Sequence, residues 1–181
     1  MQSQTIFLLG VLLVMLVGGS EACQIPCPPL WTGFKGKCYR LFHDKLLFAD
    51  AEDACKALKL IDCNGDVLTT GHLASIHSEE EQQFLVSLVT SSLPLETDDP
   101  TEWDPQVFIG MVVGSSNSVQ YWADESSFDY NGWFPGEPNN GPNSRGAIAA
   151  GTHSEGLWAD VYNTARLRYI CQLPCIKFRH D

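Results

Sequence analysis

The chain has 181 residues, a formal charge of −11, and 44% hydrophobic against 18% charged residues. That length suits one domain around one core, and a chain so acidic is a poor partner for nucleic acid or an anionic membrane surface. Its seven cysteines, Cys23, Cys27, Cys38, Cys55, Cys63, Cys171 and Cys175, point to an oxidising compartment and to disulfides in preference to metal thiolates.

Ile6 to Val17 is an apolar block too short to cross a bilayer, and Gly18-Gly19-Ser20-Glu21-Ala22 follows it with small residues suited to cleavage. The pattern predicts a signal peptide over 1–22, a secreted, extracellular domain over 23–175 and a short tail over 176–181. A signal anchor would need about 20 apolar residues. Removing Glu21 with the leader takes the charge to −10.

Cys27-Pro28-Pro29-Leu30-Trp31, then Phe34 and Cys38 to Phe42, read as a short hairpin running into a first strand. Leu47, Ala51, Cys55 and Leu58 recur at helical spacing, which predicts a helix over 48–60 with Cys55 facing inward. Gly71 to Ile76 alternates as a strand. Ser78 with Glu81 forms a capping box opening a second helix that carries Phe84, Leu85, Leu88 and Val89. Leu95 to Gln106 is acidic and bears prolines, so it reads as a loop. Strand-like runs follow at 107–113, 119–122, 156–160 and 168–173, between Gly-, Asn- and Pro-rich connections. The stretch from Asp124 to Gly156 reads as one long irregular loop, a length that implies function.

Several separated motifs, in order, resemble one family, the C-type lectins. They are Trp31-x-x-Phe34 with Cys38-Tyr39; Gly71-His72-Leu73-Ala74-Ser75-Ile76; Phe108-Ile109-Gly110-Met111; Trp122-Ala123-Asp124; Phe128-Asp129-Tyr130-x-x-Trp133; Pro135-Gly136-Glu137-Pro138-Asn139-Asn140; and Trp158-Ala159-Asp160 before Tyr169-Ile170-Cys171. The resemblance implies an α+β fold, with two α-helices on small antiparallel sheets, the chain ends together and a long upper loop. It also implies the pairs Cys27–Cys38 and Cys55–Cys171. The N-terminal pair marks the longer form of the domain, similar to the echinoidin-like lectins secreted by invertebrates.

Lectins of this family hold calcium on a Glu-Pro-Asn loop, a later glutamate and a Trp-Asn-Asp strand, because a hard cation wants six to eight oxygens and accepts two vicinal sugar hydroxyls among them. Carried over, Glu137, Asn139 and Asp160 are the carbohydrate- and calcium-binding candidates, in the mannose-type order, with Pro138 expected to be cis. The later glutamate falls on Arg145, the aspartate after it on Gly146, and the asparagine of Trp-Asn-Asp on Ala159. An arginine about 5 Å from the ion would repel it by roughly 6 kcal/mol at an effective dielectric near 20. The upper-loop cysteines fall on Ala147 and Asn163. Residues 140–154 are therefore expected to be mobile and calcium-dependent sugar binding weak. Asn143, His153 or Glu155 are alternative ligands of lower weight.

Trp133 and Trp158 are expected in the core. The acidic cluster Asp98, Asp99, Glu102 and Asp104 and the calcium-loop fragment Asp62-x-Asn64-Gly65-Asp66 read as solvated loops. No catalytic motif is present, so no enzyme is expected, and His72 and His77 are assigned structural roles. The expected partners are glycans or glycoproteins on cell or microbial surfaces, as in innate defence. The alternative is a calcium-independent module that binds protein or mineral surfaces. Of the three remaining cysteines, Cys63–Cys175 is the preferred pair and Cys23–Cys175 its competitor. The first leaves Cys23 at an exposed terminus to link a homodimer.

Overall fold

The computed structural model describes residues 27–61, 67–93, 105–117, 120–150 and 156–175. The leader, the tail, Cys23, Cys63, the 62–66 fragment, the acidic cluster, His153 and Glu155 lie outside them. Strands β1 (Thr32–Phe34) and β2 (Lys37–Leu46) form the opening hairpin. Helix α1 (Phe48–Lys56) buries Phe48, Ala51, Glu52 and Cys55. The helix stops at Lys56, short of the predicted Leu60. Leu58 N–H bonds the Cys55 carbonyl and Gly71 N–H bonds that of Leu58. The chain then turns into β3 (Lys59–Ile61), which pairs antiparallel with β4 (Val67–Thr70) in a separate two-stranded sheet.

The predicted 71–76 strand is β5, only His72–Leu73; Ala74 extends it by accepting from Gly110 N–H and donating to the Ile170 carbonyl. Helix α2 (Glu79–Ser92) opens as predicted: Ser78 accepts from Glu81 N–H, while Glu81 reaches one residue further back, to His77 N–H at 2.7 Å. Strands β6 (Gln106–Val113), β7 (Gln120–Trp122), β8 (Arg145–Ala149), β9 (Trp158–Val161) and β10 (Leu167–Pro174) complete the order. The large sheet runs β1-β2-β10-β6-β8-β9, with β5 on β10 and β7 on β6. Here β10 lies antiparallel to β2 and parallel to β6, which brings the two ends of the domain together.

Both faces of the sheet are covered. Val107, Ile109, Met111, Trp122, Ile148 and Trp158 pack with Leu85 and Val89 of α2. Phe108, Val112 and Tyr169 pack with Phe48, Ala51 and Cys55 of α1. Gly110 has to be glycine, since a Cβ there would stand 2.9 Å from the Leu73 carbonyl oxygen. Cys27–Cys38 staples the hairpin and Cys55–Cys171 ties α1 to β10. Cys175 is also disulfide-bonded.

Strand β8 corrects the reading of 124–156 as one irregular loop, and of 140–154 as mobile throughout. Gly146 to Ala149 are all buried between β6 and β9. A strand covered on both faces shows no alternation, so the short run Gly-Ala-Ile-Ala carries no period-two signal. Residues 151–155 lie outside the described set.

Candidate functional site

The loop from Phe134 to Ser144 sits at the mouth of the β8–β9 ladder. Glu137 N–H bonds the Phe134 carbonyl to close a turn, with Gly136 at φ 95°, and the Glu137–Pro138 peptide is cis. The flanking side chains converge: Asn139 Nδ2 donates to Glu137 Oε1 at 2.8 Å. Asn117 Nδ2 holds the Pro138 carbonyl at 2.9 Å from the neighbouring turn.

Asp160, 3% exposed, is the centre of this loop. Its Oδ1 accepts from Asn139 N–H at 2.8 Å, its Oδ2 accepts from Asn140 N–H at 3.0 Å, and the Ser144 hydroxyl donates to Oδ2. The Asn140 amide donates to the Asp160 carbonyl, and Asp160 N–H donates to Glu137 Oε2 at 3.3 Å. Burial pushes the Glu137 carboxyl above its ordinary value, and its hydrogen bond to Asp160 pushes the same way. Burial acts to raise Asp160 too, but the hydrogen bonds from Glu137, Ser144 and the N–H groups of Asn139 and Asn140 outweigh it and hold Asp160 low. Of the two carboxyls, Glu137 is therefore the one pushed toward its protonated form and Asp160 the one held toward its ionised form.

Glu137, Asn139 and Asp160 are thus brought together. Among the described residues no third carboxylate, histidine or cysteine joins them, and the lone pairs of Asp160 already take protein donors. That oxygen set falls short of the six to eight a calcium ion wants. Asn143 belongs to the turn, at φ 63°, with its N–H on the Val113 carbonyl.

Arg145 requires a correction. In the ladder Gly146 opposes Asp160 while Arg145 opposes Val161, so adjacent residues of β8 face opposite ways. The guanidinium lies 5.1 Å from the Phe48 ring centroid and forms no ion pair with Glu137 or Asp160. The Arg145 side chain therefore leaves the strand on the face opposite to that of Gly146. Ala159 stands opposite Ala147, and neither side chain carries an oxygen.

Trp133 and Trp158 pack inward, whereas Phe128 and Phe134 are exposed. Trp158 is fully buried, with Trp122, Tyr130 and Trp133 edge-on around it at 5.4–5.7 Å, and Trp133 Nε1 donates to Gln120 at 2.8 Å. A second polar network escaped the sequence reading. Ser75 and Ser126 hydroxyls both donate to Asp124 at 2.6 Å, Gln172 Nε2 reaches the same carboxylate at 2.7 Å, and Lys37 pairs with Glu81 at 3.1 Å. Burial acts to raise Asp124, and the bonds from Ser126 and Ser75 overcome it. His77 joins this network, with Nδ1 on Asp129 at 2.7 Å and Nε2 3.2 Å from Ser126 Oγ. Although this is a Ser, His and Asp set, the serine protons already go to Asp124, so no nucleophile is activated. His72 is likewise structural, held by Glu52 at 2.7 Å.

Residues 44–173 match the model of the "Lectin C-type domain" family. Echinoidin of Heliocidaris crassispina is 31% identical over 149 residues, 82% of this chain and 97% of that protein. A C-type lectin mannose-binding isoform of Oxyuranus scutellatus is 34% identical over 166 residues, 90% of this chain and 94% of that protein. Among solved structures, that of CEL-IV is 62% identical with a TM-score of 0.78, covering 86% of this chain and 99% of the other. Matching motifs, fold and relatives over most of the chain place it in the C-type lectin family, whose members bind carbohydrate and are not enzymes.

Proposed function

We propose that the chain is secreted after loss of residues 1–22 and binds glycans through the Glu137-Pro138-Asn139 loop, with calcium contributing weakly or not at all. The observation that supports this reading is the set of protein hydrogen bonds converging on Asp160, which hold the loop where the family uses an ion. Glu137 and Asn139, half-buried and exposed respectively, still offer acceptor and donor groups to a pair of vicinal hydroxyls of mannose type. The glycans are those of microbial or host surfaces.

The test is retention on immobilised mannan and on a glycan array, in calcium and in EGTA. Weak binding that changes less than about three-fold on calcium removal and is lost in Asn139→Ala supports the reading. Binding that appears only with calcium overturns it. The protein donors that take up the Asp160 carboxylate also favour a second reading, a module for protein or mineral surfaces. Absence of glycan binding under both conditions would select it.

A further inference from the structure

Lys35, Lys37 and Lys56 each face a carboxylate within 3.3 Å. Arg145 has no carboxylate at ion-pair distance among the described residues, yet its side chain is fixed. Its Nη1 donates to the carbonyls of Asn143 at 2.8 Å and Ser144 at 2.9 Å, and Phe48 supports the guanidinium. Its Nε and Nη2 hydrogens have no hydrogen-bond acceptor among the described residues. Partial burial lowers its pKa, and the Tyr121 phenol opposes that.

The ladder sets its neighbours. Val112 pairs with Tyr121 on one side and Arg145 on the other, and Arg145 pairs with Val161. These four residues make one row on one face of the sheet. Val112, 8% exposed, is the floor; Tyr121, 50% exposed, is a wall; the guanidinium fork stands opposite.

We propose that Arg145 and Tyr121 form a subsite for an anionic oxygen group, a sulfate ester or a carboxylate, carried on an acidic glycan. It rests on the glycan-binding reading above and extends it to charged sugars. The free edge of the fork makes paired, charge-assisted hydrogen bonds to the anion, and the tyrosine face covers the sugar ring that bears it.

Binding of dextran sulfate, alginate and unmodified dextran is measured in EGTA, with mannan as the neutral reference for the Glu137 loop. The expected result is at least ten-fold tighter binding of dextran sulfate or alginate than of dextran. Arg145→Gln abolishes that preference, Arg145→Lys recovers part of it, and Arg166→Gln, at an exposed arginine, leaves it intact. Binding of sulfate alone, or of both polymers, tells which anion the subsite takes. Because Arg145 also holds two loop carbonyls, Tyr121→Ala provides a second arm that leaves them alone, and it should weaken the acidic polymers about three-fold while mannan is unchanged. Equal binding of all dextrans, or equal losses in Arg145→Gln and Arg166→Gln, overturns the subsite. Loss of mannan binding alone overturns the Glu137 reading and leaves this one standing.

Discussion

If Asp160 does for the loop what an ion does elsewhere, Asp160→Ala should cost stability without any calcium present. The carboxylate takes Asn139 N–H at 2.8 Å, Asn140 N–H at 3.0 Å and the Ser144 hydroxyl. Hydrogen bonds to a charged group contribute about 1.5–3 kcal/mol each. Asn139 is exposed and its N–H can return to water, whereas Ser144 is 2% exposed and cannot. Discounting the exposed donor gives a net loss of about 3 kcal/mol, or a Tm lower by about 6–12 °C for a domain of this size. Asp160→Asn, which keeps one acceptor oxygen, should lose about half as much. The assay is thermal unfolding followed by circular dichroism in EGTA. A melting point within about 2 °C of the wild type would refute the reasoning, and so would a loss seen only when calcium is present.

Three further outcomes follow. The raised carboxyl of Glu137 favours its protonated form in the fold, so its contribution is full below its unfolded value and lost as pH rises through the folded one. Asp160 has the opposite sign and loses its contribution only as pH falls below about 4. As pH falls into the ordinary carboxylate range the wild type should therefore gain stability relative to Glu137→Gln; parallel pH curves for the two proteins would contradict the raised carboxyl. Removing Cys55–Cys171, separation 116, by paired alanine substitution should cost about 4–5 kcal/mol in chemical unfolding if loop entropy dominates. Gly110→Ala should destabilise by about 2 kcal/mol or more in the same assay, since the obstructing atoms are the backbone of Leu73 and cannot swing aside.

Some elements were legible because their cause is local. The cap of α2 needs only Ser78 and Glu81, and the inward face of α1 needs only the spacing of Ala51 and Cys55. Strand β8 was not, because burial on both faces by Met111 and its neighbours erases the alternation that marks a half-buried strand. The site residues Glu137, Asn139 and Asp160 could be placed from motif order, but the direction of Arg145 could not. It depends on whether Arg145 or Gly146 stands opposite Asp160, and a register is a property of two strands. The Ser75–Asp124–Gln172 network joins residues 48 to 97 positions apart, none of which carries a local signal of the others.

Calorimetric titration of the protein with calcium, with and without mannose, tests the central claim most directly. A donor set of three side chains, with its two carboxyls already hydrogen-bonded, predicts no site tighter than about millimolar and no enhancement by the sugar. Restoring oxygens through Arg145→Glu with Ala159→Asn should then bring back part of the affinity. Micromolar calcium binding by the unaltered chain, strengthened by mannose, would contradict the account.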